Sequence, residues 1–579
     1  NGLSTGWAGA SPAAGPRGRG AANIRGGEVR FRRTHETGKA VGAEVSTFLE
    51  IEQTYAAPAT TEVPDLTRIA EIDLVGSTDE YFLKALYFDT PDLRLAREKI
   101  TLRRRTGGHD DGWHLKLPGR EGRMEIGAAL DESPDGETVP ESLVQRVRAI
   151  VRTQPLVPVA EVDNHRRESV LLGPDGHPVA HFCDDRVDAE ALLEGGETTS
   201  WREWELELTP ETAGTAVGRG VLESGTEVFA SVGARISDSP SKLVRALAST
   251  MQTAPVPPRP TEFESPNADD DPFAGILTAL VEARGRLLAA DPGARTGRAS
   301  AMRDMLTATR EIRSLISLFA DLFVNSEAGD ERLDHLLHDA ARLAALARVL
   351  EDADRAHEVD KRMRLLLDED QTGLVGDDAP GRLTQATRSR LTRSRGRVVA
   401  ALESEDYLAV LDDLDEVLAA PPAPERAERI KATAIIVREI KRAYIEFRNL
   451  RRDALDTIDD PAGTHRELAQ LFGEMLVATQ TLQTAATLAR RLTPYRGSRL
   501  EEQAGKLVAV LGQAAVADDT AAVIHRRARQ AARRGVDTFG YGVLYQAEMQ
   551  RFGEVAEQAD ARRDKTRKAY RRFKKSIAG

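Results

Sequence analysis

The sequence predicts a multidomain protein in which an α+β domain with a dominant antiparallel sheet precedes an all-α domain. Three observations predict it. At 579 residues the chain is longer than one hydrophobic core normally organises. From Val45 to about Leu247 apolar residues alternate with period two between turn clusters, whereas from Phe273 onward they recur at helical spacing. Between the two regimes lies "TAPVPPRPTEFESPNADDDP", rich in Pro and Asp and read as a linker over residues 251–271. The division is therefore 1–44, 45–250, 251–271 and 272–579.

Residues 1–44 hold "GASPAAGPRGRGAANIRGG", which lacks the apolar centre of a signal peptide and is expected to be disordered. The strands follow as "TFLEIEQTY", "KALYFDT", "ITLRRRT", "GWHLKLP", "PVAHFCDDRV" and "WREWELELTP", while "PDLTRIAEI", "SLVQRVRAIV" and "SKLVRALAST" read as helices. In the second half, "FAGILTALVEARGRLLA", "LLHDAARLAALARVLEDA" and "RGRVVAALESEDYLAVLDDLDEVLAA" carry helical periodicity. The breaks "GLVGDDAPG", "APPAPE", "DDPAGT" and "TPYRGS" fall where the loops of an antiparallel bundle belong.

A net charge of −12 disfavours bulk attraction to nucleic acid, although a local basic cleft is compatible with an acidic total. Aromatic residues, at 5%, are too sparse for a base-stacking surface. Cys183 is the single cysteine, which excludes an internal disulfide framework and fits a reducing, cytoplasmic setting. No uninterrupted apolar run reaches the roughly 18 residues of a membrane span, so no membrane partner is expected. Homo-oligomerisation stays open.

Alternation places Glu50 with Glu52, Arg103 with Arg105, and Glu203 with Glu205 and Glu207 on single strand faces. Leu49, Ile51, Leu115, Leu117, Trp204 and Leu206 lie between them and require a dry environment. One such strand is ordinarily a solvated face with cross-strand ion pairs. Its recurrence, acidic on some strands and basic on others, points instead to a closed sheet with its charges turned inward. Such a lumen suits a compact polyanion: Arg and Lys take phosphate oxygens, while paired carboxylates hold Mg²⁺ or Mn²⁺.

These motifs resemble the CYTH family, the triphosphate tunnel metalloenzymes. "LEIE" is similar to the opening of its Glu-x-Glu-x-Lys motif, "ITLRRRTGG" to its Leu-Arg-x-Arg strand, and "GWHLKLP" carries the position of its tunnel lysine. "NHRRE" supplies Arg166, "DDRV" Asp185, "MEI" Glu125, "REWELEL" Glu203 and Glu205, and "SPSKL" Lys242. The resemblance implies an eight-stranded tunnel that hydrolyses a linear triphosphate. It implies Glu50, Glu52 and Lys116 as catalytic residues and Arg103, Arg105, Lys116, Arg166 and Lys242 as phosphate ligands. Glu50, Glu52, Asp185, Glu203 and Glu205 would be the metal ligands. Thr54 stands where the family has its motif lysine, and threonine offers a hydrogen bond without charge.

The second half resembles the CHAD family of polyphosphate-binding helical bundles, through "MLTATREIRSLISLF", "TFGYGVLYQAE" and the middle segment beginning "RVVAAL". Arg303, Leu306 and Glu311 replace basic or histidine positions of its first signature, leaving Arg310 and Arg313 as candidate ligands. "THRELAQLFGEML" keeps His465 but has Ala469, Gln470 and Gly473 where cations are expected. Arg438, Arg442, Arg448 and Arg452, on one helix at steps of four, six and four, and nine Lys or Arg from Arg562 to Lys575 are further cations. The terminal run reads either as a polyanion surface or as a solvated, fraying helix end. His465 and His525 lack ligand-spaced partners, His335 and His338 form at most a weak pair three apart without acidic or Cys partners, and Cys183 reads as packing. The functional expectation is binding of inorganic triphosphate or polyphosphate with metal-assisted hydrolysis. The alternative is a non-catalytic binding or scaffolding protein.

Overall fold

The computed structural model describes residues 46–118, 122–133, 135–261, 272–321, 331–368, 378–421, 432–459, 465–493 and 497–578. The segment 1–44, expected to be disordered, lies outside the described residues.

The first domain is one antiparallel sheet in the order β1-β6-β5-β4-β3-β7-β8-β9-β2-β10. These strands are β1 (Ser46–Glu50), β2 (Glu52–Ala56), β3 (Leu74–Asp89), β4 (Thr101–Thr106), β5 (Gly112–Pro118), β6 (Arg123–Ala128), β7 (Val157–Leu172), β8 (Pro178–Ala191), β9 (Thr198–Leu208) and β10 (Arg235–Ile236). The two ends of that order meet in one extended stretch broken only at Ile51: β1 pairs with β6, β2 pairs with β9, and the Leu208 amide donates to the Ile51 carbonyl at 2.9 Å. The sheet therefore curls back on itself. Counting 46–56 as one strand and setting aside the two-residue β10, eight strands form the wall.

Alternation then decides what each face meets. The outward residues carry the apolar cores. Trp204 and Leu206 pack with Tyr55, Phe182 and Phe229 under α3 (Ala216–Ala230), while Trp113, Leu115 and Ile126 pack under α2 (Glu141–Val151). Val162, Val187 and Ala189 pack against α4 (Lys242–Leu247). Each fully buried large apolar side chain contributes about 1.5–3 kcal/mol. The apolar stabilisation sits outside the barrel, leaving its inside polar.

One expected helix is much shorter than predicted. "PDLTRIAEI" forms a single 3₁₀ turn, Leu66–Arg68, because Asp65 caps the Thr67 amide and Ile69 and Ile72 leave helical geometry to bury themselves in the sheet's outer core. The predicted linker is bonded on both sides. It begins as α5 (Thr250–Thr253); Arg97, which closes α1 (Arg94–Arg97), donates to the Met251, Ala254 and Pro255 carbonyls, and the Thr261 amide reaches the Leu418 carbonyl at 3.1 Å.

The helical domain comprises α6 (Pro272–Arg295), α7 (Ala299–Asp321), α8 (Glu331–Asp368), α9 (Asp378–Leu402), α10 (Glu405–Ala419), α11 (Ala432–Asp459), α12 (His465–Leu492), α13 (Ser498–Ala532) and α14 (Phe539–Ala578). Its apolar stripes converge on one large core and a satellite around Met363, Leu383 and Ile524. Helix α13 is the one described helix that is, by length and composition, apolar enough to cross a membrane, although Asp518 and Asp519 interrupt its apolar run. The mean hydropathy of that window is 1.6, and half of it is buried within the bundle. The basic terminal run forms the last turns of α14, with Ala569 and Phe573 in the core. The two domains meet where Ala149 of α2 joins the bundle core and Arg148 donates to Glu403 at 3.1 Å.

Candidate functional site

Strand register assigns the lumen ring by ring. Opposite residues on neighbouring strands share a face, so Glu52 faces Glu207, Thr54 faces Glu205, and Ala56 faces Glu203 across β2 and β9. The next pairings place Asp185 beside Glu203, Arg166 beside Asp185, and Tyr81 beside Arg166. On the other side Arg103 faces His114 and Tyr87, and Lys116 faces Glu125. These rings enclose a cavity of about 200 Å³. Glu50, Glu52, Arg103, Arg105, Lys116, Arg166, Glu203, Glu205 and Lys242, all expected from the sequence, line it; Asp185 sits fully buried in the wall behind.

The charges are distributed unevenly. Arg103, Arg105, Lys116 and Arg166, from β4, β5 and β7, form a basic wall, and Glu50, Glu52, Glu203, Glu205 and Glu207, from β1, β2 and β9, an acidic one. Lys116 bridges them, 2.5 Å from Glu50 and 3.4 Å from Glu125. Burial opposes its charge, but these carboxylates outweigh burial and raise its pKa above the ordinary lysine range. Glu125 also accepts from His114 at 2.6 Å. Although burial works to raise it, Lys116 and His114 hold Glu125 well below the usual carboxylate range.

Deeper on the acidic side, Lys242 contacts Glu205 at 2.5 Å, Glu203 at 2.6 Å and Asp185 at 2.9 Å. Arg166 clasps Asp185 through two bonds of 2.8 and 2.7 Å and also reaches Glu205. Trp201 donates to Glu203 at 2.6 Å. Asp185, Glu203 and Glu205 bring ligand oxygens within 4.8 Å of one another, close enough for one cation. Burial raises Glu205, yet Lys242 and Arg166 overcome it and keep the group ionised.

Glu52 and Glu207 behave differently. Among the described residues neither has a hydrogen-bonding or ion-pairing partner. Burial and the Glu50 charge push Glu52 up to about 8, and burial and Glu50 push Glu207 to about 7. Other polar atoms are equally without partners: Glu50 Oε2, Arg103 Nε, Arg105 Nε and Asn164 Oδ1 are buried and unpaired. A lumen so furnished fits a hard cation on the carboxylates and an oxyanion on the guanidiniums.

Several lining residues were not picked out as ligands from the sequence: Glu207, Glu168, His181, Asp110, Arg123, Tyr81 and Tyr87. Glu207 and His181 had a readable signal. The first continues the alternation of Glu203 and Glu205, and the second precedes Cys183 and Asp185 at the same period. Cys183, on the same strand face as His181 and Asp185, is buried, and burial pushes its thiol up.

In the bundle, Arg310 is tied to Glu351 at 2.6 Å and Gln480 at 2.8 Å, whereas Arg313 is exposed. Arg303 pairs with Asp354, His465 bonds to Asp518, and His335 lies 3.7 Å from Asp413. No described histidine joins a metal-binding group. Arg438 pairs with Asp321 and Arg442 with Glu439. Tyr444 stacks on Tyr570, and the Arg571, Arg567 and Arg448 charges act on Tyr444, making one cationic corner of α11 and α14.

The architecture defines a charged β tunnel joined to a helical bundle. The CYTH domain family matches residues 49–215 and the CHAD domain family residues 278–468. The uncharacterized protein Rv2226 of Mycobacterium tuberculosis is 33% identical over 542 residues, 90% of this chain and 97% of its own length. The chain belongs to the family of proteins that carry a CYTH domain followed by a CHAD domain. Among solved structures, the CHAD domain of the plant Ricinus communis is 16% identical, covering 53% of this chain and 96% of its own, with a TM-score of 0.36. A candidate adenylyl cyclase from Hippeastrum, described as revealing a dominant triphosphatase activity, is 16% identical, covering 36% of this chain and 98% of its own, with a TM-score of 0.22.

Proposed function

We propose that the tunnel binds a linear triphosphate and hydrolyses it with the help of Mg²⁺ or Mn²⁺. The observation that carries this reading is the division of one small lumen into a basic and an acidic wall. The lining holds six Lys or Arg side chains and eight Asp or Glu, so without a cation it is a poor host for a polyanion. A divalent ion removes that obstacle. Glu52 and Glu207, with the unpaired Oε2 of Glu50 adjoining, would hold it; Asp185, Glu203 and Glu205 of the expected metal set are engaged by Arg166, Lys242 and Trp201 and serve to anchor Lys242. When bound, the ion supplies Lewis-acid polarisation of phosphoryl oxygens and an activated water.

The chain's own residues do the rest. Arg103 and Arg105 present guanidinium edges that match phosphate oxygens, and their unpaired buried Nε atoms are donors awaiting an acceptor. Lys116, held charged between Glu50 and Glu125, can neutralise charge that develops as the phosphoanhydride breaks. Arg166 and Lys242 fix Glu205, which stands directly across from Thr54, so positive charge reaches that part of the lumen without the family's motif lysine. In the bundle, the corner at Arg448 and Arg571, which among the described residues have no acidic partner, is the better-placed surface for longer polyphosphate, because Arg310 is committed to Glu351 and Arg567 to Asp564.

The test is phosphate release from tripolyphosphate with Mg²⁺ or Mn²⁺ by wild type, Glu52→Gln and Thr54→Lys. Turnover that disappears in Glu52→Gln supports a working metallohydrolase. An inert wild type that still binds tripolyphosphate favours a non-catalytic binding or scaffolding role, for which the uncharged Thr54 is the specific observation.

A further inference from the structure

A second cavity, of about 680 Å³, lies outside the tunnel, between α2 and β6 of the first domain and the turn that joins α6 to α7 of the second. Six arginines line it against four acids, Glu98, Asp412, Asp415 and Glu416. Four of its arginines have acidic partners: Arg94, Arg152 and Arg284 pair with Asp412 or Asp415, and Arg259 with Glu98. Arg146 and Arg298 also line it, and among the described residues neither has an acidic partner.

The two are like charges on the wall of one cavity. Burial, the larger cause, and then the Arg298 charge lower the pKa of Arg146. Arg152 adds an independent observation. Its residue is 2% exposed and lines the cavity, yet its Nη1 is buried without a partner. Its backbone also sits at φ +59°, a conformation that costs a non-glycine residue on the order of 1–3 kcal/mol and is kept only where surroundings impose it. Finally, Arg298 immediately precedes α7, and Ala301 in the first turn of that helix borders the same space.

We propose that this interdomain cavity is a binding site for a phosphate-type oxyanion, clamped by Arg146 from the tunnel domain and Arg298 from the bundle, with Arg152 Nη1 at its floor. Guanidiniums converging from two domains on an anion convert a repulsion into a bridge. Occupancy thereby ties the tunnel domain to the bundle. The site does not depend on what the tunnel does.

Inorganic pyrophosphate is the probe, titrated calorimetrically into the full chain. The background is Arg103→Gln/Arg105→Gln, which weakens the tunnel, with and without Arg298→Gln. Arg298 is exposed at the end of a turn, so its loss leaves the cores intact. The expected result is residual pyrophosphate binding in the tunnel variant that weakens at least about tenfold when Arg298→Gln is added, as for a lost charge-assisted contact. Arg146→Gln should do the same. Residual binding unchanged by either substitution, or no binding in the tunnel variant at millimolar pyrophosphate, overturns the proposal. The reading of the tunnel fails separately, on equal pyrophosphate binding by wild type and Arg103→Gln/Arg105→Gln.

Discussion

Replacing Glu52 by Gln should make the metal-free tunnel domain more stable, by an amount that grows with pH. In the folded chain Glu52 holds its proton up to about pH 8, against an ordinary value of 4.5. Between those values the folded state binds a proton that the unfolded state has released, so stability falls as pH rises; below the ordinary value the penalty is absent. At pH 7 holding that proton costs on the order of 3 kcal/mol, and water in the lumen reduces this toward about 2. Glutamine makes no such demand, so the advantage of Glu52→Gln over wild type should widen by about 2–3 kcal/mol between pH 5 and pH 8. Tryptophan emission gives a selective assay, because among the described residues Trp113, Trp201 and Trp204 all belong to the tunnel domain. Urea unfolding followed by that signal, in EDTA at pH 5, 6.5 and 8, measures the difference. Mn²⁺ should then stabilise wild type more than Glu52→Gln and narrow the gap at pH 8. Parallel pH profiles for the two proteins would refute the burial argument, and an equal Mn²⁺ effect on both would remove Glu52 from the metal site.

Mn²⁺ affinity itself should rise between pH 6 and pH 9, because the ion competes with protons on Glu52 and Glu207; equilibrium dialysis across that range checks it. Glu207→Gln should weaken Mn²⁺ binding more than Glu203→Gln, since Glu203 is already engaged by Lys242 and Trp201. Arg105→Ala should weaken tripolyphosphate binding by at least about 1 kcal/mol, measured calorimetrically on protein whose folding is confirmed. Lys116→Ala should do so too and also cost stability, on the order of 3 kcal/mol or more, because Glu50 and Glu125 remain buried without their cation.

The wall of the tunnel was legible because a strand's period of two sorts residues without any long-range information. Trp204 and Leu206 needed a dry side, so Glu203, Glu205 and Glu207 were left with the other. What period two cannot supply is which strands become neighbours. That the chain 46–56 pairs with β6 through its first half and β9 through its second is a long-range fact, and it alone brings Glu52 opposite Glu207. The same limit explains the bundle. Arg310 looked available because its partners, Glu351 and Gln480, lie 41 and 170 residues away. Arg146 and Arg298 carried no signal at all, since each is an ordinary helix or turn arginine until the domains dock.

Thr54 is where these arguments meet. Its opposite neighbour, Glu205, already receives Lys242 and Arg166, so an ammonium introduced by Thr54→Lys finds that carboxylate satisfied. The unpaired acids within reach are Glu52, on the same strand face, and Glu207, diagonal across the ladder at roughly 7–8 Å between backbones. An ion pair with either favours its charged form and lowers its pKa. The substitution should therefore act first on the acidic wall: Thr54→Lys should flatten the pH dependence that distinguishes wild type from Glu52→Gln, and shift the onset of Mn²⁺ binding to lower pH. If instead the pH profile of Thr54→Lys overlays that of wild type, the introduced charge has not entered the lumen. The register that places Thr54 between Glu52 and Glu205 would then not describe the working tunnel.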